Sequence, residues 1–396
     1  HNRDICARYD DSITMVEATG TQLLRRARGY APYPIHLTFN AHQILGCGAE
    51  EKNTFCLTRD NYAFLSQHIG DMENLETLEH FEASIALYQH LFRIKPDLVA
   101  YDLHPDYFST KYARATMPDP AAWVPIQHHQ AHIAACLVDN GWSDDDGQVI
   151  GVAWDGTGYG LDGHIWGGEF FVGHYSGFER AVHLEYLPLP GGDAAVRNPW
   201  RLALGYLYAL TGAVPDLPGV GESESRIVCQ QIDRGLNTPL TSAAGRLFDA
   251  VAALIGVRHR VTYEAQAAIE LEMLARQWAS NRVPESRPDT YPYGLEKGRV
   301  IRLRPLLEAI QADLARGVSP AQIAWCFHQT QAELIVFVCR QIAADVGVET
   351  VALSGGCFQN RLLLSLAVTA LEGAGFRVLI HRQVPCNDRG ISLGQA

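Results

Sequence analysis

Two stretches of this chain share one design, in which an apolar strand runs into a loop of small and polar residues and an apolar strand returns. The first begins at about Gln43, where ILGCG and TFCL precede the turn TRDN and the segment YAFLSQ, a pattern that predicts a β-meander. The second spans residues 149–173 and reads VIGVAWDG, TGYGLDG and HIWGGEFFVG. The two sequences are not similar, but two such hairpins suggest a duplicated architecture.

The segments around these hairpins predict helices and further strands. Helical spacing indicates a helix over residues 75–95, with an apolar face formed by Leu75, Leu78, Phe81, Ile85 and Leu91. A short strand (DLVAYDLHP) and a helix around His128–Asp139 follow. Residues 195–345 are mostly helical, and one helix starts at Pro320 after the Ser319 cap. The last part alternates strand VALSGG, a helix, strand FRVLIH and the turn PCNDRG, which is typical of a parallel or mixed sheet.

Composition and charge exclude several classes of protein. The 396 residues suffice for about two to three domains, and 47% hydrophobic with 19% charged residues excludes a disordered or coiled-coil chain. The formal net charge of −12 disfavours bulk nucleic-acid binding, because an anionic surface repels phosphate. The nine cysteines are odd in number and form no C-x-x-C pair, which argues against a disulfide framework or a structural zinc site.

The ends and the apolar runs of the chain predict its location. No apolar run approaches the ~20 residues that a membrane span needs. The first residues, HNRDICARYDD, are polar, without the apolar core of a signal peptide, and no initiator methionine precedes them. We therefore expect a cytoplasmic α/β protein that is a fragment of a longer chain.

The segment HHQAH is a candidate metal-binding sequence. It places His128 and His132 four residues apart, and on a helix this spacing stacks both imidazoles on one face, as two ligands of one metal require. The alternative is a polar helix end with hydrogen-bonded histidines. No Glu follows the first His, so a zinc protease is not indicated. The third ligand has to come from elsewhere, and Asp388 in the turn PCNDRG is the candidate, unless it only caps a helix.

Two glycine-rich loops are candidate phosphate sites. DGTG (Asp155–Gly158) lies at the tip of an apolar strand, where a phosphate loop and a simple hairpin turn are about equally expected. SGGCFQN (Ser354–Asn360) follows an apolar strand and opens a helix, so Gly355 and Gly356 are expected at the helix N-terminus, where free amides favour an anion. The alternative is a plain helix cap with two packing glycines.

Two further polar groups stand in apolar surroundings. Gly245, Arg246 and Asp249 lie on the otherwise apolar helix LTSAAGRLFDAVAAL, where the Arg and the Asp either form an intrahelical pair or line a nucleotide cleft. Asp193 in the turn LPGGDAA leaves the same two alternatives open. Cys357 lies within the second glycine loop, but nothing nearby makes a Cys/His catalytic pair.

Ten segments, in order along the chain, resemble the C-terminal region of the HypF family of hydrogenase-maturation carbamoyltransferases. They are KNTFCL, LSQHIGDMENLET, HHQAHIAACL, AWDGTGYG, IWGGEF, LPLPGGDAA, GRLFDAVAAL, YEAQAAIELE, LSGGCFQNRLL and ISLGQA. The resemblance covers nearly the whole chain. HNRDI, DDS and LRRARGYAP at the start look like the tail of the family's carbamoyl-adenylate-forming, YrdC-like domain, here residues 1–38.

The resemblance implies the fold and the domain boundaries. The family has the α/β fold of the actin, sugar kinase and Hsp70 class (ASKHA), a duplicated, two-lobed ATP-binding fold, which accounts for the two hairpins. The first lobe would comprise residues 39–145 and the second residues 146–396, with a helical insertion at about 195–345.

The resemblance also implies the residues of the site. The metal ligands would be His128, His132 and Asp388, with Asp155 as a fourth ligand or a partner of the others, and through the metal these four residues would activate the carbamoyl group. The metal would be iron or zinc, since nitrogen and oxygen ligands suit both, and Mg²⁺ would accompany the nucleotide. Residues expected to bind ATP or carbamoyl-AMP are Lys52, Asp155, Gly156, Thr157, Gly158, Asp193, Gly245, Arg246, Asp249, Ser354, Gly355, Gly356 and Asn360.

The implied reaction is the transfer of a carbamoyl group from carbamoyl-AMP, made from carbamoyl phosphate and ATP, to the C-terminal cysteine of a HypE-like partner. The thiocarboxamide product is the precursor of the cyanide ligands of a nickel–iron centre. Two alternatives are a threonylcarbamoyl-type transferase acting on tRNA and a non-catalytic nucleotide-binding scaffold. The net charge of −12 favours the first reaction over tRNA.

Two positions depart from the family pattern. The family usually has two glycines after Asp388, whereas here Arg389 stands before Gly390. Arg389 is expected either to contact a phosphate or a partner or to lie in solvent. Cys357 occupies a position where an aliphatic residue is expected.

Overall fold

The computed structural model of the chain describes residues 7–17, 20–281, 290–297 and 299–396. The segment HNRDI and a small part of the expected helical insertion lie outside these residues. Within them the architecture rests on two main sheets of five and nine strands, each flanked by helices. No helix of the described residues is long and apolar enough to cross a membrane.

An N-terminal segment, residues 7–34, packs on both parts of the molecule that follow. It contains the antiparallel hairpin of strands β1 (Ile13–Glu17) and β2 (Gly20–Arg25). After the hairpin, the buried Arg26 donates to the carbonyl oxygens of Leu65, Tyr30 and Tyr33. The buried bond to Leu65 therefore ties the segment to the rest of the chain, whereas the bonds to Tyr30 and Tyr33 stay within the segment.

The first lobe is built on the five-stranded sheet. Its elements are β3 (Ile35–Ala41), β4 (Ile44–Gly46), β5 (Cys56–Leu65), α1 (Leu75–Phe92), β6 (Leu98–Asp102), α2 (Phe108–Thr116), β7 (Trp123–Ile126) and α3 (His128–Asp139). The strand order is β3-β5-β4-β6-β7, with β6 parallel to both β4 and β7. Phe55, Phe81 and Tyr88 are fully buried and in edge-to-face contact between the sheet and α1.

Two details of the first lobe differ from the sequence prediction. The residues TRDN do not form a turn, because β5 continues through them, pairing with β4 in its first part and with β3 from Asp60 onwards. Asp60 takes a left-handed conformation (φ 54°) at the register shift between β3 and β5. The polar residues therefore form an irregularity within one strand and not a turn between two strands. On α1, Leu75 and Leu91 are exposed at the two ends, whereas Phe81 and Ile85 are buried.

The second lobe is built on the nine-stranded sheet. Its first elements are β8 (Val149–Tyr159), β9 (Ile165–His174), β10 (Gly177–Leu184), β11 (Leu187–Pro188), α4 (Asp193–Arg197), α5 (Trp200–Thr211), α6 (Glu222–Asp233), β12 (Leu240–Thr241), α7 (Ala244–Leu254) and α8 (Gln266–Asn281). The remaining ones are β13 (Gly294–Glu296), β14 (Val300–Arg302), α9 (Arg304–Ala315), α10 (Pro320–Val346), β15 (Thr350–Ser354), α11 (Arg361–Gly373), β16 (Arg377–Leu379) and α12 (Ile391–Gln395). The main strand order is β13-β14-β10-β9-β8-β15-β16.

Several predictions for this lobe are confirmed. The hairpin of β8 and β9 is antiparallel, with Val149 opposite Gly173. The stretch predicted as helical contains α5 to α10, although the short strands β12 to β14 lie among these helices. The long helix α10 begins at Pro320, and the Ser319 hydroxyl accepts from the amide of Gln322.

The glycine loop after β15 differs from the prediction. A 3₁₀ turn, Gly356–Gln359, separates the strand from α11, so Gly355 and Gly356 do not lie at the N-terminus of that helix. The helix starts at Arg361 instead, with Asn360 as its cap, and the Asn360 side-chain oxygen accepts from the amide of Leu363. An asparagine caps a helix better than a glycine pair, because its side chain satisfies one of the free amides.

The two lobes are joined closely through α3. Helix α12 lies against α3, and a Cβ added at Gly394 would come within 1.9 Å of the Ala131 carbonyl oxygen. At the other end of α3, the carboxylate of Asp139 accepts from the amides of Arg382, Gln383 and Val384. These contacts bring the start of α3 to the ends of β8 and β15, where the candidate site lies.

Candidate functional site

The predicted helix over His128–Asp139 is confirmed as α3, and it begins at the segment HHQAH. Gln127 caps it, since its side-chain oxygen accepts from the amides of His129 and Gln130. His128 and His132 are one turn apart and both are buried. Their rings therefore point together into the interior between α3 and the second sheet.

The structure brings the two histidines together with Asp155 and Asp388. The Nε2 atoms of His128 and His132 lie 3.4 and 3.5 Å from Oδ2 of Asp155. They lie 3.9 and 3.7 Å from Oδ1 of Asp388. One ligand atom from each of the four residues falls within 4.8 Å of all the others. The imidazoles come from the first lobe and the carboxylates from the second.

These four residues fit a divalent metal ion. The Nε2 atoms of His128 and His132 are buried and have no hydrogen-bond partner among the described residues, which is costly unless something binds them. Two imidazoles and two carboxylates are a ligand set that both zinc and iron accept. Metal–ligand bonds of roughly 2.0–2.2 Å place neighbouring ligand atoms about 3–3.5 Å apart, close to the observed separations.

Asp102, which we did not predict as a site residue, orients one of the two imidazoles. It is fully buried at the end of β6, and its Oδ2 lies 2.7 Å from Nδ1 of His128. Its Oδ1 accepts from the amide of His104 at 2.9 Å. Because Nδ1–H donates to this carboxylate, Nε2 is the nitrogen of His128 that faces the cluster and becomes the ligand atom when a metal displaces its proton. The signal in the sequence was the polar DLHP at the end of an apolar strand.

The charged groups of the cluster shift one another's pKa values. Burial lowers the pKa of His128, but the carboxylates of Asp102, Asp155 and Asp388 together outweigh it and raise the pKa well above its usual range. For Asp155, burial raises the pKa, yet the facing rings of His128 and His132 hold it well below its usual range. Burial and then repulsion from Asp155 raise the pKa of Asp388. Two carboxylates that repel each other in a buried site are a place where a cation binds favourably.

The segment DGTG does not form the hairpin turn. It lies within β8, at a register shift between Trp154 and Gly158, and the turn comes later, at residues 160–164. A Cβ added at Gly158 would lie 2.4 Å from Cε1 of His129 and 2.8 Å from Cδ2 of His128. The glycine is therefore required for α3 to approach the strand. Gly156 is partly buried and Thr157 is exposed.

The second glycine loop, Ser354–Asn360, lies against the cluster and holds one of its carboxylates. Gly355 has a φ of 104°, and a Cβ there would lie 2.2 Å from the Trp154 carbonyl oxygen. The amide of Gly356 donates to Oδ1 of Asp155 at 2.8 Å, so this amide fixes a carboxylate of the cluster. The buried hydroxyl of Ser354 lies 2.8 Å from Nε2 of His381. The side-chain nitrogen of Asn360 lies 2.9 Å from Nε2 of His328, so its polar groups have protein partners.

Gly245, Arg246 and Asp249 lie beside Gly156. Arg246 and Asp249 form a buried ion pair of 3.0 Å, as one of the two alternatives predicts. A Cβ at Gly245 would come within 2.8 Å of the Gly156 Cα, so α7 packs directly on β8. The Arg246 guanidinium also lies next to Gly156, and its buried Nε has no partner among the described residues. Arg246 therefore lies next to Gly156 of β8, while its pair with the buried Asp249 lies within α7.

Lys52 projects from the first lobe towards the same region. Its Nζ lies 2.6 Å from Oε1 of Glu264, in the second lobe, and 3.2 Å from Oε2 of Glu51. Burial lowers the pKa of Lys52, but the carboxylates of Asp388, Glu264 and Glu51 outweigh it and raise the pKa above its usual value. We did not predict Glu51 or Glu264. Asp193, by contrast, is exposed at the start of α4 and is not one of the four clustered residues.

Two parts of the chain match known family descriptions. Residues 39–139 match the "HypF Kae1-like domain", and residues 151–395 match "Carbamoyltransferase, Kae1-like Domain, second subdomain". Carbamoyltransferase HypF2 of Cupriavidus necator is 39% identical over 430 aligned residues, covering 100% of this chain and 51% of that protein. Carbamoyltransferase HypF of Synechocystis is 38% identical, covering 100% of the chain and 52% of that protein. The chain thus spans about half the length of these two curated relatives.

A shorter relative and two crystal structures match as well. A HypF homolog of C. necator is 40% identical over 89% of this chain and 90% of its own length. The structure superimposes on full-length HypF in its phosphate- and nucleotide-bound form with a TM-score of 0.90 and 42% identity, over 100% of this chain and 61% of that one. HypF of T. kodakarensis gives a TM-score of 0.88 and 33% identity, over 100% and 52%. The predicted α/β fold of two lobes with a helical insertion is confirmed.

Proposed function

The chain belongs to the HypF family of carbamoyltransferases, and from this premise we propose that it transfers a carbamoyl group from carbamoyl-AMP to a thiol in hydrogenase maturation. The observation that carries the proposal is the buried group of His128, His132, Asp155 and Asp388, which both lobes contribute to. The boundaries after residue 38, between the N-terminal segment and the first lobe, and after residue 145, between the two lobes, remain a prediction.

In this proposal the four clustered residues hold a divalent metal, iron or zinc. Such an ion, when bound, supplies a Lewis acid that polarises a neighbouring carbonyl oxygen. The chain itself contributes the fixed positions of the ligands: Asp102 holds the His128 ring, and the Gly356 amide holds the Asp155 carboxylate. Ligands that are held in place before binding need no reorganisation when the substrate arrives.

The adenylate would lie beside the cluster, along β8. Arg246 and Lys52 are two cations on this side of the cluster, and the lack of a side chain at Gly156 would let a phosphate approach the backbone next to the Arg246 guanidinium. Charge-assisted hydrogen bonds to that phosphate would make AMP a better leaving group. The other residues assigned to nucleotide binding, with Mg²⁺ on the nucleotide, are Asp155, Thr157, Gly158, Asp193, Gly245, Asp249, Ser354, Gly355, Gly356 and Asn360.

The attacking thiol would come from a partner protein. Burial and then the carboxylate of Asp155 raise the pKa of Cys357 well above its usual value, and burial raises the pKa of Cys386 to about 12. These two nearby thiols are therefore protonated at neutral pH and poor nucleophiles. We propose a HypE-like protein that presents its C-terminal cysteine in the cytoplasm. Its sulfur forms a bond to the carbamoyl carbon, the bond from that carbon to the phosphate oxygen breaks, and AMP leaves with the electron pair while the thiol loses its proton.

The test supplies carbamoyl-adenylate to the chain together with a peptide that ends in cysteine. Mass spectrometry of the peptide then measures the thiocarboxamide. We expect product with the wild-type chain, and none with His132→Ala, which also loses bound metal. The exposed His42→Ala is the matched control and should behave as wild type. Equal product with His132→Ala, or tight binding of tRNA at physiological salt with no peptide modified, would overturn the proposal.

A further inference from the structure

Arg389 occupies the position next to Asp388, and its side chain reaches the N-terminal segment. Its Nη1 donates to the Leu24 carbonyl oxygen of β2 at 3.1 Å. Its Nε donates to Nδ1 of His68, in the first lobe, at 3.3 Å. A residue of the second lobe thus contacts both other parts of the molecule at once, through one planar group whose donors have fixed directions.

The backbone of Arg389 is held as well. Its carbonyl oxygen accepts from the hydroxyl of Thr54 at 2.9 Å, and this buried hydroxyl also lies 2.8 Å from Oγ of Ser392. Its amide donates to the side-chain oxygen of Asn387, which caps the 3₁₀ turn Asp388–Gly390. Asp388 itself is therefore free of the capping role and presents its carboxylate to the cluster.

The contacts of the guanidinium are unusual for a partly buried cation. No carboxylate of the described residues lies within ion-pair distance of Arg389, and its two acceptors are neutral. Burial and then Arg389 lower the pKa of His68 to about 4, so the His68 ring is neutral and offers its Nδ1 lone pair. A half-buried cation whose two acceptors are neutral, and which also faces the cation of Arg25, is costly if it serves packing alone, whereas its directional donors fix the geometry of the turn.

We propose that Arg389 is a positioning residue that ties the Asp388 carboxylate to the docked β2 strand, so that metal binding at the cluster and docking of residues 20–25 strengthen each other. The proposal rests on the proposed function, which supplies the metal at the cluster. It adds an energetic link between the cluster and the N-terminal segment. Linkage is reciprocal: whatever the strand adds to metal affinity, the metal adds to the stability of the docked strand.

The experiment compares wild type, Arg389→Ala and Arg389→Lys, with the exposed Arg340→Ala on α10 as the control. Zn²⁺ affinity is measured by competition with a chelating dye, and amide hydrogen exchange is measured over residues 20–25 with and without Zn²⁺. We expect Zn²⁺ to slow exchange of this strand in wild type and in Arg340→Ala. In Arg389→Ala, Zn²⁺ affinity should fall about tenfold and the protection by Zn²⁺ should disappear. Arg389→Lys keeps the charge but loses the second donor direction. Its Zn²⁺ affinity and its protection by Zn²⁺ should lie between those of wild type and Arg389→Ala.

Hydrogen exchange of the metal-free samples distinguishes a failure of the proposed link from a failure of the metal assignment. Loss of the Leu24 contact should speed exchange of residues 20–25 in metal-free Arg389→Ala by about fivefold, whether or not the cluster binds Zn²⁺. If wild type binds no Zn²⁺ but the metal-free difference is present, the metal assignment fails and the contact stands. If Arg389→Ala matches wild type in both exchange and Zn²⁺ affinity, or loses affinity while Zn²⁺ still protects the strand, the link is refuted.

Discussion

The buried carboxylate of Asp102 lies 2.7 Å from Nδ1 of His128. One residue ends a strand of the first sheet and the other starts the helix that follows the next strand. The contact fixes both the ring orientation and the position of its proton, so that the opposite nitrogen faces Asp155 and Asp388. Such carboxylate–histidine pairs raise the basicity of a ligand and orient it.

Asp102→Asn should weaken metal binding without unfolding the chain. The amide keeps the size of the side chain and can still accept from the His104 amide, but it no longer stabilises a positively polarised imidazole. We expect metal affinity to fall about 10- to 100-fold. In the metal-free protein, ¹⁵N NMR of the His128 ring should show a change in the proton position, which a merely structural substitution would not produce. Unchanged affinity together with an unchanged ring signal would contradict the assigned role.

Glu50 should make the stability of the chain depend on pH. Burial raises its pKa to about 7, although its side chain accepts from the amide of Phe108. The folded state therefore holds a proton that the unfolded state releases near the ordinary pKa of about 4.3, so stability falls as pH rises between these two values and the loss is complete above about 7. In Glu50→Gln, urea midpoints between pH 5 and 8 should show a smaller decline than in wild type. An equally steep decline would contradict this.

The sequence predicts much of this fold because local signals there agree with the final packing. The Ser319 cap, the spacing of HHQAH and the strands around DGTG each depend on neighbours in sequence. The turn TRDN was predicted wrongly, since its polar residues signal a break that the pairing of β5 with β3 overrides. Tertiary pairing of this kind cannot be read from a window of four residues.

The site was predictable only in part, because contacts between residues far apart in sequence bring it together. The histidine spacing indicates a metal pair, and the place of Asp388 after a strand made it a candidate third ligand. The assignment of Asp155 as a ligand needed the family resemblance, because it lies far from Asp388 in sequence and its loop also fits a hairpin turn. Asp102 and Glu264 were missed, since a lone acid at a strand end or in a loop carries no distinct signal. Gly158 was predicted as part of a phosphate loop, and the structure adds a second requirement for glycine, since this position makes room for the histidine rings.

Gly158→Ala should therefore disturb the metal site itself. Its Cβ would meet the rings of His128 and His129 at less than 3 Å, so the rings or the strand must move. We expect a loss of about 1–3 kcal/mol in the free energy of unfolding, together with weaker metal binding. Gly373→Ala in α11 is the control: its Cβ meets nothing within 4 Å, and it should be neutral or stabilise by up to about 1 kcal/mol. If both variants melt alike and bind metal alike, the close approach is not what requires glycine at 158.

Glu264→Gln should tighten the binding of an anionic nucleotide. Glu264 is exposed, and it pairs with Lys52 across the two lobes, so its carboxylate competes with a phosphate for the same ammonium group. Removing this charge leaves Lys52 with Glu51 and Asp388, and we expect the dissociation constant for AMP to fall several-fold at low ionic strength. The gain should shrink at high salt, since exposed charges are screened over about 10 Å at 0.1 M. Glu308→Gln, which breaks an exposed pair with Arg304 on α9, should leave AMP binding unchanged. Weaker AMP binding by Glu264→Gln would instead mean that Glu264 contacts the nucleotide or holds Lys52 in its binding position.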